Sequence, residues 1–164
     1  MLGEGELLAP SPRDFARRLL TWHREGFPEL GDSGGRGMGR STARVLDDPD
    51  FLVAPQACAR RAWDALGRCA APNGALMRAA VCGLAAEADA AALAQATHAD
   101  PRSTAACVAV ATLVALMLEA TGMDMESLLS RACAAGERHL VEEDALGRRA
   151  GRCGSRYAAP FGVL

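Results

Sequence analysis

Apolar residues recur at intervals of three and four along most of this chain, which is the spacing of amphipathic helices. Phe15, Leu19 and Trp22 form the first such face, after a Ser11-Pro12 start that suits an N-cap and a first helical turn. Similar patterns predict helices over residues 41–46, 55–66, 75–86, 89–96, 104–118 and 125–139. No segment alternates β-branched or aromatic residues with polar ones as strands do. The chain is therefore predicted to be all-α.

The segment 104–118 is almost wholly apolar, unlike the other predicted helices. It is shorter than the roughly 20 residues that cross a bilayer. A helix that is apolar on every face needs other helices around it. We therefore predict a core helix buried on all sides, and no membrane partner.

The composition fits a folded domain with little net charge. Half of the residues are hydrophobic, and 18 basic residues nearly balance 20 acidic ones, with a net charge of −2. Such a balance gives no reason to expect nucleic acid as a partner. The six cysteines are spread singly, and the Met1 end has no basic, apolar leader. These features predict a reducing, cytoplasmic location.

A glycine-rich loop precedes the short helix predicted at 41–46. It reads Gly34-Gly35-Arg36-Gly37-Met38-Gly39-Arg40-Ser41-Thr42, and its backbone N–H groups could approach a phosphate closely. It lacks the GxxxxGK[ST] pattern and follows no predicted strand, so the two common nucleotide fingerprints are excluded. A flexible connector is the alternative interpretation.

Two further turns carry candidate chemistry. Residues 69–78 read CAAPNGALMR, in which small residues around an Asn-Gly turn leave room for a flat ligand. The alternative is a plain interhelical turn whose Arg78 makes a structural ion pair. The second turn, Thr97-His98-Ala99-Asp100-Pro101, holds a histidine just before the apolar helix. His23 and His139 are predicted to be helix-surface residues.

Together and in this order, these three motifs resemble the ADP-ribosylglycohydrolase family over roughly residues 11–139. The resemblance implies a compact all-α domain that binds ADP-ribose or an ADP-ribosylated protein. It also implies hydrolysis at the ribose anomeric carbon, assisted by two Mg²⁺ ions in the complete family domain. The substrate-binding residues that it implies are Gly37, Ala71, Pro72, Asn73, Gly74 and His98.

The acidic metal motifs of the family have no counterpart here. Asp47-Asp48-Pro49-Asp50 is acidic but follows the glycine loop, and we interpret it as a helix end and turn. We therefore expect a fragment from the middle of the domain, 11–139, followed by a divergent tail, 140–164, that lacks a fixed structure. Such a chain would be inactive alone and could self-associate through exposed apolar helices. Two alternatives stay open: a catalytically dead nucleotide-binding module, and a structural protein like the lens crystallin of this family.

Overall fold

A computed structural model describes residues 11–82, 84, 87–119 and 122–147. Within these residues all regular structure is helical, which confirms the predicted all-α class. The α-helices are α1 (Pro12–Glu25), α2 (Arg40–Leu46), α3 (Pro55–Ala65), α4 (Leu76–Cys82), α5 (Glu87–Gln95), α6 (Pro101–Leu118) and α7 (Met125–Ala145), and a short 3-10 helix spans Pro28–Leu30.

Side-chain caps fix where three of these helices begin. Ser11 Oγ accepts a hydrogen bond from the N–H of Asp14 at the start of α1. Carboxylates do the same at the later starts, with Asp100 capping α6 and Asp124 capping α7. A carboxylate at this end also interacts favourably with the helix dipole.

Two helices are longer than the hydrophobic pattern predicts. α6 begins at Pro101 rather than at residue 104, because the Asp100 cap and the fixed φ of Pro101 already start a helix there. α7 continues past the predicted end at His139 to Ala145. Of the predicted tail, 140–164, residues 148–164 lie outside the described residues.

α6 is the central helix, and it packs against α4, α5 and α7. Its first half is largely buried, but Met117 and Leu118 in its last turn are exposed. The prediction of burial on all sides is therefore wrong at that end. By length and composition α6 could cross a membrane, yet half of it is buried within the protein, as in a core helix.

A glycine permits the close approach of α7 to α6. A Cβ atom on Gly136 would lie 2.8 Å from the carbonyl oxygen of Ala105 and 3.2 Å from Ala109 Cβ. Contacts of that length to a backbone oxygen are not tolerated, so any side chain here would push the two helices apart.

The other half of the described fold is a smaller cluster formed by α1, α2 and α3. Its core contains Leu19, Leu20, Leu46, Phe51 and Cys58, all of them buried. α1 and α3 also contact α5, which joins this cluster to the α4–α7 group. The cleft described next lies between the two groups.

Candidate functional site

A cavity of about 700 Å³ opens between α1, the glycine-rich loop and the turn before α4. That volume is within the range of small-molecule binding sites. The lining residues come from α1 and the segment after it, from the glycine-rich loop, from residues 69–78 and from the turn before α6: Phe15, Arg18, Leu19, Trp22, Phe27, Gly37, Met38, Gly39, Arg40, Ser41, Thr42, Pro72, Asn73, Gly74, Met77, Arg78 and His98.

The glycine-rich loop is ordered by one carboxylate. Asp32 Oδ1 accepts hydrogen bonds from the backbone N–H groups of Arg36 (3.0 Å) and Gly34 (3.1 Å). Its Oδ2 accepts another from Trp22 Nε1 at 3.0 Å. These donors, the Arg36 N–H first, hold the pKa of Asp32 below its usual value. The loop is thus tied to α1, and Gly37, with φ of +80°, turns it along the cavity wall.

The Asn-Gly turn is held by the first residues of α6. Arg102 Nη2 donates to the carbonyl of Cys69 at 3.1 Å, and Ser103 Oγ donates to the carbonyl of Pro72 at 3.0 Å. These two bonds connect segments more than thirty residues apart. The second and third motifs of the sequence therefore form one structural unit.

Asp100 holds this unit through buried hydrogen bonds. Its side chain is 1% exposed, and its Oδ2 accepts from Trp63 Nε1 at 3.0 Å and from Arg102 Nη2 at 2.8 Å. It also caps α6. A buried carboxylate with this many donors is satisfied, so its place is structural.

His98 presents a polar atom to the cavity without a protein partner. The residue is 2% exposed, and its Nδ1 lies 2.8 Å from Thr97 Oγ1. Its Nε2 has no hydrogen-bond partner among the described residues. Burial, followed by the positive charge of Arg78, lowers the pKa of His98 to about 4, and Asp100 opposes this shift. The ring is therefore neutral near pH 7.

Gly74 is the close neighbour of that atom on the cavity wall. A Cβ on Gly74 would lie 3.2 Å from His98 Nε2 and 3.2 Å from Thr42 Oγ1. Two polar atoms thus converge on a gap that any larger residue would fill.

Arg78 places a largely buried cation on the same wall. Its Nη2 donates to Thr97 Oγ1 at 2.8 Å, and its guanidinium lies 5.5 Å from the ring centroid of Phe15. Within the described part of the chain it makes no salt bridge, so the alternative of a structural ion pair is not what these residues show. Burial lowers the pKa of Arg78, which still leaves it charged near pH 7.

Five of the six predicted substrate-binding residues line this one cavity: Gly37, Pro72, Asn73, Gly74 and His98. Ala71 is exposed and lies outside the lining. Their role in binding a substrate stays a prediction.

The sequence analysis missed several wall residues, among them Phe15, Trp22 and Thr42. Phe15 and Trp22 were assigned to a core face, but they also line the cavity, and Thr42 was not singled out as a contact. Helical spacing cannot separate a core face from a cavity wall, since both point inward. One signal could have found this wall: the chain has few aromatic residues, and three of them, Phe15, Trp22 and Phe27, line the cavity.

The remaining histidines and the acidic cluster have structural partners. His23 Nε2 lies 3.0 Å from Asp47 Oδ1, and His139 Nε2 lies 3.0 Å from Thr104 Oγ1. Both histidines are half-buried rather than fully exposed on their helices. In the acidic cluster, Asp48 forms an ion pair with Arg61 at 2.8 Å.

The described residues do not supply a site for a pair of Mg²⁺ ions. Magnesium prefers carboxylate and other oxygen ligands. Among residues 11–82, 84, 87–119 and 122–147, no three His, Cys, Asp or Glu side chains gather in a way that could hold a metal ion. The metal chemistry that the resemblance implies therefore has no ligand set in this part of the chain.

Comparison with known proteins gives a family for these motifs. The family model described as ADP-ribosylglycohydrolase matches residues 2–159, a longer span than the motifs themselves cover. No match was found among curated proteins or among solved structures. The match covers nearly the whole chain, and the helical fold agrees with it. The chain belongs to the ADP-ribosylglycohydrolase family.

Proposed function

We propose that this chain binds ADP-ribose in the cavity between α1 and the Asn-Gly turn, as the recognition part of a hydrolase that acts on ADP-ribosyl bonds. The observation that carries the proposal is the buried Nε2 of His98, a cavity-lining residue, which has no hydrogen-bond partner among the described residues. A buried polar atom of this kind calls for a ligand or a water molecule.

The rest of the wall suits the parts of ADP-ribose. Phe15, Trp22 and Phe27 offer rings on which a nucleobase can stack. The guanidinium of Arg78 and the backbone of the glycine loop favour the diphosphate. The hydroxyl of Thr42 and the imidazole of His98 can hydrogen-bond ribose oxygens.

No step of this proposal passes through a metal ion, because the described residues do not assemble ligands for one. Mg²⁺ and hydrolysis are proposed for the complete family domain, and these 164 residues on their own are proposed to bind without cleaving. The metal-independent binding module is the second candidate function, and the same missing ligand set favours it.

Calorimetric titration of the chain with ADP-ribose, in EDTA and then in excess Mg²⁺, tests the proposal. We expect binding of equal affinity in both conditions. Binding only with Mg²⁺ would indicate an intact metal enzyme, and the absence of binding would indicate a structural protein.

A matched pair of glycine variants tests the location. Gly74→Ala puts a methyl group against His98 and Thr42, and we expect an affinity loss of tenfold or more, about the effect of one lost hydrogen bond. Gly34→Ala is the control, because its Cβ meets nothing closer than 3.8 Å and Gly34 does not line the cavity. Equal affinities for the two variants would place the ligand elsewhere.

A further inference from the structure

Three side chains form a line of hydrogen bonds behind the cavity wall. Arg78 Nη2 lies 2.8 Å from Thr97 Oγ1, and the same oxygen lies 2.8 Å from His98 Nδ1. Thr97 and His98 are both almost wholly buried, so water does not compete for these bonds. The direction of each bond can therefore be worked out from the protons available.

The guanidinium of Arg78 can only donate, so it occupies a lone pair of Thr97 Oγ1. The hydroxyl has one proton of its own, and among the described residues the acceptor within reach of it is His98 Nδ1. If Nδ1 carried a proton instead, the Thr97 hydroxyl proton would be buried without an acceptor, which proteins avoid. The consistent arrangement has Nδ1 accepting from Thr97, which leaves the ring proton on Nε2.

The charges around His98 favour the same neutral form. Arg78 on α4 repels a second positive charge, and burial adds to this effect. Asp100, before α6, is the opposing group, but its carboxylate is already bound to Trp63 and Arg102.

We propose that Arg78 and Thr97 are positioning residues that hold neutral His98 as an Nε2–H donor, aimed at an acceptor oxygen of the bound ligand. His98 then recognises a hydroxyl, phosphate or carbonyl oxygen and does not accept a proton from the ligand. Naming that oxygen as one of ADP-ribose rests on the proposed function; the protonation of the ring does not.

Nitrogen NMR of the ¹⁵N-labelled full chain, without ligand at neutral pH, tests the ring directly. His98 is assigned by the loss of its signals in His98→Gln. We expect the Nδ1 shift of an unprotonated nitrogen that accepts a hydrogen bond, and the Nε2 shift of a protonated one. A proton on Nδ1, or a doubly protonated ring at neutral pH, would overturn the proposal.

Two substitutions of Thr97 separate positioning from packing. Thr97→Val keeps the shape but removes the hydroxyl, so the Nδ1 signal should move towards that of a free imidazole nitrogen and the His98 titration midpoint should rise. Thr97→Ser keeps the hydroxyl and should restore the wild-type spectrum. Identical His98 signals in wild type and Thr97→Val would show that the Thr97 hydroxyl does not hold the ring. If the valine variant does not fold, the wild-type spectrum alone still decides the tautomer of His98.

Addition of ADP-ribose then tests the recognition step. We expect the Nε2–H proton signal to shift, and Thr97→Val to bind about tenfold more weakly than Thr97→Ser. If wild type binds ADP-ribose and the His98 signals do not respond, the donor role is wrong. If wild type does not bind ADP-ribose at all, the proposed function fails, while the ligand-free spectra still decide the protonation of the ring.

Discussion

At the scale of single residues, the chemistry of the cleft is set by what surrounds each side chain. His98, Arg78 and Thr97 are ordinary residue types whose properties change because they are buried together beside Asp100. The sequence predicted His98 as a cleft residue from its turn and from the family resemblance. It could not predict the line of hydrogen bonds that ends at His98, since Arg78 and Thr97 are 19 residues apart and meet only after folding.

The depressed pKa of His98 predicts a specific pH dependence of stability. The unfolded chain binds the proton with an ordinary pKa of 6.5 and the folded protein with one of about 4. Between these values the unfolded state holds more protons, so the free energy of unfolding falls as the pH drops through this window. We expect a loss of about 2 kcal/mol between pH 7 and pH 5, measured by urea unfolding.

The control for this experiment is His139, a histidine that is only half-buried. His98→Gln should remove most of the slope between pH 7 and pH 5, since glutamine does not titrate. His139→Gln should keep it, because it leaves the buried ring of His98 in place. An unchanged slope in His98→Gln would assign the effect to other groups.

At the scale of helices, the sequence predicts that a helix is present better than it predicts where that helix begins and ends. The bounds of α2 and α3 were predicted to within about one residue, because Pro55 and the break at Asp47-Asp48-Pro49 are local signals. The last residues of α7 were not, because their apolar spacing is weak and a contact distant in sequence involves them, with Gln95 Nε2 of α5 donating to Glu143 Oε1 at 3.3 Å. The exposed end of α6 was also missed, since an apolar segment does not show which neighbours cover it.

The α6–α7 contact gives a prediction at this scale. Gly136→Ala should improve intrinsic helix propensity by about 1 kcal/mol. It should nevertheless destabilise the protein, since the new methyl group would lie 2.8 Å from the backbone oxygen of Ala105. Overpacking typically costs about 1–3 kcal/mol, so we expect a net loss and a lower melting temperature.

Cys133→Ala is the control, because Cys133 is exposed on the same helix. It should change stability by less than about 0.5 kcal/mol. A gain in stability from Gly136→Ala would mean that the two helices are not as close as the structure has them.

At the scale of the whole molecule, the described surface carries two groups of exposed large apolar side chains. Met77, Val81 and Leu84 are exposed along α4 and just after it. Met117, Leu118, Met125 and Leu129 are exposed where α6 ends and α7 begins. Exposed apolar patches of this kind commonly mark contact surfaces or aggregation sites.

We therefore expect the isolated chain to self-associate. Light scattering during size-exclusion chromatography should give a mass above the 17.1 kDa of the monomer. Leu129→Glu should shift the equilibrium towards the monomer, whereas Arg131→Glu, an exposed polar position on the same helix, should not. A monodisperse wild-type monomer over a wide concentration range would contradict the expectation.

The final prediction concerns the reaction of the whole chain. Departure of a leaving group from ribose needs charge stabilisation and a positioned water molecule, which a pair of metal ions can provide. The acidic cluster Asp47-Asp48-Pro49-Asp50 is committed to other contacts, with Asp47 beside His23 and Asp48 paired with Arg61. The purified chain, incubated with ADP-ribosylated protein and excess Mg²⁺, should therefore release no more ADP-ribose than a sample without it. Release that Asp47→Asn or Asp48→Asn abolishes would show instead that this cluster binds the metal, and that the 164 residues already form a working active site.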